Sequence, residues 1–553
     1  MFYDNKIWIG VSGEEKVSIL PQMANRHGLI AGATGTGKTV TLKVLAESFS
    51  DAGVPVFLAD IKGDLAGMCQ CGIDNEDMQE RIKRFGLDEC GFTYQKYPTV
   101  FWDIFQETGV PLRTTVSEMG PILMSKLMNL NDTQSDILTC LYKMADDEDL
   151  LLVDLKDLKA ILQYASENAK ELSLEYGNIT PQSIAAIIRN VVALEAAGGD
   201  KFFSDPALNI ADFFTNDISG KGCINVLDGR KLATDKTLYS AFLLWLLSEL
   251  FEALPEVGDR DKPRMVFFFD EAHLLFNDIS KVLCEKIEQI VKLIRSKGVG
   301  VYFISQSPRD IPDGVLAQLG NKVQHALHAY TPSEEKALKT VADSFRANPE
   351  FDTKEELSQL GVGEALVSVL DEEGIPTIVK KCKILPPCSK MGSIDEDMRK
   401  QEYVSTNLYL KYRTSNDPDS AYEFLERRKS KLAEEEAARE KEELAQKEKE
   451  REDKEALKQA QKEEREEAKR LEREEKAKLK EAQKQEQLAQ KEADKKKAKV
   501  KKVAGSVAST TAGTIGRELG QQIGSSMGGS FGKKLGGNVL SSIGRSIMGN
   551  LFK

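Results

Sequence analysis

An α/β fold built on a central, mainly parallel sheet is what this sequence predicts, and three observations carry the prediction. A glycine-rich loop, Gly32 to Thr39, sits between a short apolar run and a stretch with helical character. A second apolar run, Met265 to Phe269, closes on Asp270-Glu271. Other short apolar runs alternate with segments of helical spacing, as strand–helix–strand units require.

Gly32, Ala33, Thr34, Gly35, Thr36, Gly37, Lys38 and Thr39 spell G-x-x-x-x-G-K-[ST]. Gly32 and Gly37 permit a tight path that turns successive N–H groups onto the phosphates of a nucleoside triphosphate. Lys38 reaches the β/γ-phosphates and the Thr39 hydroxyl binds Mg²⁺. His27 to Ala31 is expected to be the buried strand before the loop. Val40 to Phe49 is expected to be the helix whose N-terminus faces the anion. A plain glycine-rich turn leaves the Lys-Thr pair unexplained, so ATP and Mg²⁺ are the expected ligands.

The remaining elements follow in order. Ile7 to Ile9 and Val17 to Leu20 are short strand-like pieces ahead of the loop. Val54 to Asp60 is a second strand that ends in the polar turn Asp60 to Asp64. Functional residues of parallel sheets collect at such carboxyl ends. Asp60 and Lys62 are therefore candidates to approach nucleotide or a neighbouring subunit, with a turn-forming role equally open. From about 113 to 215 apolar residues recur at helical spacing (Leu123, Leu127, Leu130; Ile184, Ile187, Ile188, Val191), which predicts a helical insertion. Gly222 to Leu227 returns to strand, and about Leu238 to Leu254 to helix.

After the Met265–Phe269 run, Asp270 is placed to hold the water shell of Mg²⁺ and Glu271 to polarise the attacking water. A buried strand capped by turn-forming acids is the plainer alternative. His273 is expected to be structural or coupling, because no second His lies at ligand spacing. Lys281 to Ile294 is amphipathic, and Gly300 to Ile304 is a fourth core strand ending in Ser305-Gln306-Ser307-Pro308. The Gln306 amide can report the γ-phosphate to the rest of the subunit. Arg295 and Lys297 stand just before that strand, where a cation can be offered across a subunit boundary as an arginine finger. A solvated surface charge is the alternative for Arg295. Gly361 to Val369 is expected to be a turn feeding a late strand, paired with Thr377 to Val379.

Charge is uneven along the 553 residues. Residues 1–430 hold 47 basic and 65 acidic side chains, a net of −18, whereas 431–502 hold 24 and 22, and the rest five and one. An acidic body argues against broad, nonspecific adhesion to nucleic acid, although a ring or channel can still concentrate its few cations. Eight cysteines without a secretory leader point to a reducing, cytoplasmic setting. The longest apolar stretch, Ala241 to Leu254, is broken by Ser248, Glu249 and Glu252 and is too short to span a bilayer.

Four regions are expected: a core over 1–395 with its insertion, a linker over 396–430, a charged helix over 431–502, and a tail over 503–553. The charged segment lacks Gly and Pro, and its leucines (Leu432, Leu444, Leu457, Leu471, Leu479, Leu488) are spaced unevenly. A solvated single helix braced by i,i+4 Glu–Lys pairs is favoured over a coiled coil. In the tail, glycines at 516, 520, 524, 528, 532, 536 and 544 each follow an apolar residue. That spacing suits close helix packing, and with Lys533, Lys534, Arg545 and Lys553 the tail can self-associate or lie on an anionic membrane surface. A flexible tether is the alternative.

The strings NRHGLIAGATGTGKT, FLADIKGDL, VFFFDEAHLLF, IRSKGVGVYFISQSP and LGVGEALVS, in this order, resemble the HerA-like branch of the HerA–FtsK group of RecA-like motor ATPases. The resemblance implies a RecA-like core and a hexameric ATPase whose relatives pump DNA or open its strands. It implies phosphate and Mg²⁺ binding by Lys38 and Thr39, completion of the site by Asp270 and Glu271, and a sensor role for Gln306. Arg295 also matches the position of an arginine in that group. The N-terminal β-barrel of HerA is not matched, since the 31 residues ahead of the loop are too few to build one. The expected function is a ring-type ATP-hydrolysing motor, a DNA translocase or helicase. The alternatives are a protein-directed or membrane-recruited motor of the conjugation or secretion type, and a nucleotide-switched scaffold.

Overall fold

Apolar runs that are buried along their whole length place one sheet through the middle of the chain. The computed structural model describes residues 1–258, 260–276 and 281–493. Among them thirteen strands form one sheet. They are β1 (Phe2–Tyr3), β2 (Lys6–Ser12), β3 (Glu15–Ile19), β4 (Gly28–Ala31), β5 (Val56–Asp60), β6 (Thr99–Asp103), β7 (Val110–Pro111), β8 (Ile224–Asp228), β9 (Met265–Phe269), β10 (Val299–Ser305), β11 (Asn321–His325), β12 (Glu364–Ser368) and β13 (Lys380–Ile384). The spatial order is β1-β2-β13-β12-β11-β4-β10-β9-β5-β8-β6-β7, with β3 paired to β2.

Every pairing from β11 across to β7 is parallel, and the pairings on the β12 side are antiparallel. Parallel strands covered on both faces have no polar-out positions, so they appear in sequence as continuous apolar runs. All residues of β4, β5, β8, β9 and β10 are buried accordingly. Aromatic rings interlock across them: Phe57 and Phe267 lie 5.2 Å apart, as do Phe268 and Tyr302. The α/β class, the mainly parallel sheet and the helical insertion are as the sequence predicts.

The insertion lies between β7 and β8, and its principal helices are Val116–Leu127, Asp132–Asp147, Leu155–Glu167 and Pro181–Leu194. Reciprocal caps start the first three, pairing Thr115 with Glu118, Asn131 with Gln134, and Asp154 with Asp157. Each cap satisfies N–H groups that a helix start leaves without partners.

Two expectations need correction. The strand paired with β12 is Lys380–Ile384, not Thr377 to Val379. Val379 is drawn off the sheet because its N–H donates to the Arg346 carbonyl at 3.0 Å. The stretch 396–430, expected as a linker, is packed against the core. It carries the helices Glu396–Val404 and Asn407–Tyr412 and the start of a long helix, Ala421–Ala493. Arg113, buried, donates to the Tyr412 carbonyl at 2.6 Å. Buried Asp157 accepts from Ser420 Oγ at 2.6 Å and from the Tyr422 N–H at 2.9 Å.

Residues 1–437 make one compact unit. From 438 to 493 the described chain is helix, with i,i+4 pairs such as Lys476–Glu472 at 2.6 Å. Leu444, Leu457, Leu471 and Leu479 are all more than half exposed there. The last nine positions of the expected charged helix and the glycine-repeat tail lie outside the described residues. Among the described residues no helix is long and apolar enough to cross a membrane.

Candidate active site

β4 hands the chain to the loop 32–37, and the helix Lys38–Asp51 begins directly after it. The loop needs glycine at its first position. Gly32 has φ 154°, and a Cβ there would stand 2.5 Å from the Cβ of His325. Neighbouring strands fix the loop: Gly32 N–H donates to the Ser305 carbonyl at 3.3 Å, and Ala33 N–H to Ala326 at 2.9 Å. Gly363 N–H donates to the Thr36 carbonyl at 3.1 Å, and Thr36 Oγ1 to Ala33 at 2.8 Å. Thr34 and Gly35 form the exposed tip, and Thr39 lies half-buried in the first helical turn.

Lys38 is buried and folds onto the loop, donating from Nζ to the carbonyls of Gly32 at 2.6 Å and Ala33 at 3.0 Å. Burial lowers its pKa first and the Lys62 ammonium adds to this, against the pull of Glu271 and Asp270. Lys38 therefore sits within the field of both acids. Behind it, His325 Nε2 and Thr41 Oγ1 are 2.8 Å apart. Burial drops the His325 pKa to about 4, so the ring is neutral.

The acids stand where the sequence places them, at the carboxyl end of β9. Asp270 is buried and accepts the Glu271 N–H at 2.9 Å. Burial and the adjacent Glu271 charge raise its pKa to about 7. Glu271 has φ 49°, a left-handed conformation that costs an L-residue about 1 kcal/mol and re-aims its side chain. Its Oε1 meets Lys62 Nζ at 2.9 Å, and its Oε2 accepts from Gln306 Nε2 at 3.5 Å. His273 Nδ1 is 3.3 Å from the same oxygen, without hydrogen-bond geometry. Burial alone would raise the Glu271 pKa, but Lys62, His273 and Gln306 outweigh it and the net shift is downward.

Asp60 and Lys62 divide the two roles left open for them. Asp60 accepts the N–H groups of Gly63, Asp64 and Leu65 at 2.7, 3.1 and 3.1 Å, so it shapes the turn. Lys62, carried on that turn, reaches Glu271. Four of the singled-out side chains, Lys38, Asp270, Glu271 and Gln306, thus gather with Lys62 at the carboxyl ends of the central strands β4, β10, β9 and β5. Arg295 does not join them. It lies in the turn Arg295–Lys297 at the opposite, amino end of β10. Seven strand residues separate the ends, roughly 20 Å at ~3.3 Å per residue.

Motif reading did not identify a second set of buried charges. Glu47, on the loop helix, accepts the N–H groups of Cys388 and Ser389 at 2.7 and 3.1 Å, and Lys43 donates to the Lys390 carbonyl. At the carboxyl end of β8, Asp228 pairs with Arg230 at 2.6 Å and with buried Arg399 at 3.2 Å. The spacing of Lys43 and Glu47 on one helix face was the available signal for the first.

Residues 8–536 match the family described as Helicase HerA-like C-terminal. A protein of Sulfurisphaera tokodaii named DNA double-strand break repair helicase HerA is 25% identical over 394 residues, covering 69% of this chain and 70% of its own length. Its namesake from Sulfolobus acidocaldarius is 23% identical over 383 residues, with 67% of each chain covered. Among solved structures, VirB4 of Thermoanaerobacter pseudethanolicus is similar at a TM-score of 0.45 and 16% identity, covering 69% of this chain and 96% of its own. The plasmid coupling protein TrwB, solved with ADP and Mg²⁺, gives a TM-score of 0.43 at 14% identity, covering 70% and 97%.

Proposed function

The chain belongs to the HerA-like helicase C-terminal family and is an ATPase, and from that premise we propose that it is a ring-forming motor that couples ATP hydrolysis to movement along DNA. The observation that carries this reading is the meeting of Glu271, Lys62 and Gln306 at the same carboxyl end of the sheet from which the phosphate loop leaves β4. In the proposed cycle the loop 32–37 and Lys38 hold the β- and γ-phosphates. The Thr39 hydroxyl and the Asp270 carboxylate are hard oxygen donors, which fit Mg²⁺. Bound there, Mg²⁺ would neutralise charge on the phosphates. Glu271 orients the attacking water and accepts its proton. Gln306, bonded to the Glu271 carboxylate at the end of β10, passes the state of the γ-phosphate into the sheet.

Arg295 fits a ring because it sits at the end of β10 that its own site cannot use. Its side chain cannot cross the length of the strand, so any contact it makes with a γ-phosphate is to a neighbouring subunit's site. The test is steady-state phosphate release by the full chain without DNA, with single-stranded DNA and with duplex, alongside its mass by light scattering. Stimulation by DNA in an oligomer of about six subunits is expected. Undiminished basal hydrolysis that neither form of DNA changes would move the reading to a protein-directed motor.

A further inference from the structure

A general base must turn an open oxygen toward the attacking water. Both oxygens of Glu271 are already engaged. Lys62 Nζ meets Oε1 at 2.9 Å, and Gln306 Nε2 donates to Oε2 at 3.5 Å. The ammonium contact is the short one, and it joins two charges at a carboxylate that keeps only 11% of its side-chain surface in solvent. Hydrogen bonds between ionised partners are about twice as strong as neutral ones, so Lys62 decides whether Oε1 can serve.

The turn that carries Lys62 is joined to a second cationic turn. Gly229 N–H donates to the Asp60 carbonyl at 3.0 Å, tying together the chain segments that follow the neighbouring strands β5 and β8. A Cβ on Gly63 would stand 3.1 Å from Arg230 Cδ, so the arginine side chain lies along the Lys62 turn. Arg230 is paired with Asp228, and the next residue, Lys231, with Glu107. Lys62, Arg230 and Lys231 keep 46%, 43% and 62% of their side-chain surface in solvent, whereas Asp228 keeps 8%. The cations are therefore outermost, and an incoming anion meets them before it meets Glu271 or Asp228. Two other acids at these strand ends turn their oxygens onto backbone. Asp60 does so as described above, and Asp103 accepts the N–H groups of Phe105, Glu107 and Thr108 at 2.8, 2.7 and 2.8 Å.

We propose that Lys62 restrains Glu271, and that backbone phosphates of DNA lift the restraint by drawing off Lys62 together with Arg230 and Lys231. The inference rests on the reading of the chain as a DNA motor and adds how DNA switches its hydrolytic site on. Three cations on two joined turns suit a polyanion with regularly spaced charges better than a single free anion. A lysine ammonium is a point charge on a flexible stem, so it can change partners without moving the backbone. Once Lys62 turns outward, Oε1 is open to the water that Glu271 orients, while Gln306 stays on Oε2. Lys62 is thus a positioning residue, acting through the base it holds.

The test is steady-state phosphate release by the full chain, parent and Lys62→Met, with and without duplex DNA. Methionine keeps an unbranched stem at a half-exposed position, so the fold is retained, and melting temperatures check it. Without DNA, kcat of Lys62→Met should rise about fivefold, the scale of one partly exposed ion pair. Its further stimulation by DNA should shrink by the same factor. A merely structural role for Lys62 would lower kcat rather than raise it. Lys62→Arg should show a smaller rise than Lys62→Met, because a guanidinium can still reach the carboxylate. Lys231→Ala should need several-fold more DNA for half-maximal stimulation.

If DNA stimulates the parent and Lys62→Met hydrolyses no faster than the parent without DNA, the restraint is overturned. A faster Lys62→Met that DNA still stimulates by the parent's full factor would overturn release by DNA. A parent that duplex DNA does not stimulate would instead sink the DNA-motor reading and the release with it, while a faster Lys62→Met beside it would still establish the restraint.

Discussion

Arg295 and Glu271 sit at opposite ends of the sheet, and this makes a mixing experiment quantitative. If hydrolysis at one site needs Glu271 from its own subunit and Arg295 from the next, Arg295→Ala and Glu271→Gln each disable every site of a pure ring. An arginine finger is worth about 10³-fold in turnover and contributes little to ground-state binding, so Arg295→Ala should lose hydrolysis and keep ATP affinity. In a one-to-one mixture that exchanges subunits, a competent interface needs an Arg295→Ala subunit supplying the glutamate beside a Glu271→Gln subunit supplying the arginine. Random neighbours meet that condition at about one interface in four, whatever the number of subunits in a head-to-tail ring. Phosphate release should therefore recover to about a quarter of the parent value from two nearly inactive stocks. Arg295 neighbours the buried His27 electrostatically, so melting temperatures of both variants are measured alongside to show that folding is intact. Activity of the mixture equal to the average of its two parents, with subunit exchange verified by mass, would refute the trans assignment. Full activity of Arg295→Ala alone would refute it more directly.

Three further outcomes follow from the same structure. Lys38→Ala should abolish nucleotide binding, while Glu271→Gln should bind ATP normally and turn over about 10²-fold more slowly; binding titrations paired with phosphate release separate the two. His27 should make folding acid-sensitive. Its Nδ1 accepts the Val301 N–H at 3.0 Å and its Nε2 meets the Val291 carbonyl at 2.7 Å, an arrangement for the neutral ring, and burial lowers its pKa from 6.5 to about 4. As pH falls below about 6.5 the unfolded chain takes up the proton first, so the contribution is intact above that pH and lost progressively toward 4. The shift corresponds to about 3 kcal/mol. Urea midpoints at pH 7 and 4.5 should fall further in the parent than in His27→Gln, and equal falls would count against it. Truncation after Ala437 should move the melting temperature of the remaining unit by no more than about 2 °C, because the deleted part that is described is solvated helix. Truncation after Ser405 should unfold it, since Arg113 then loses the Tyr412 carbonyl and buried Asp157 loses Ser420 and Tyr422.

The parallel strands β4, β5, β8, β9 and β10 were legible because burial on both faces leaves no polar position to confuse the pattern, whereas the equally buried β6 was not picked out. β9, five apolar residues ending on Asp270, was found to the residue. β11 was not, although it lies beside β4 at the centre of the sheet. Its sequence, Asn321 to His325, holds a single apolar residue. Its first residue is satisfied by partners far away in sequence: Asn321 Nδ2 donates to the carbonyls of Met23 and His27 at 3.1 and 3.0 Å. Local pattern cannot foresee that, because the acceptors come within reach when the sheet forms.

The same argument divides the site. Loop chemistry at Gly32 to Thr39 and the Asp270-Glu271 pair are local spellings, so sequence placed them. Lys62 could be named only as a candidate, because its partner Glu271 is 209 residues further along the chain. Glu47 and its acceptor role toward Cys388 and Ser389 span more than 300 residues. A buried carboxylate is tolerable when its oxygens are filled with N–H and cationic donors, and here those donors come from the segment after the final strand. That segment therefore belongs to the nucleotide-binding half of the molecule as much as the loop does. The same reasoning applies to the stretch after it. Arg399, buried against Asp228 with Phe101 beneath its guanidinium at 4.7 Å, fastens residues 396–404 across the carboxyl ends of β6 and β8. Composition alone made that stretch look like a linker, because ionic side chains count as polar whether or not a partner removes them from water.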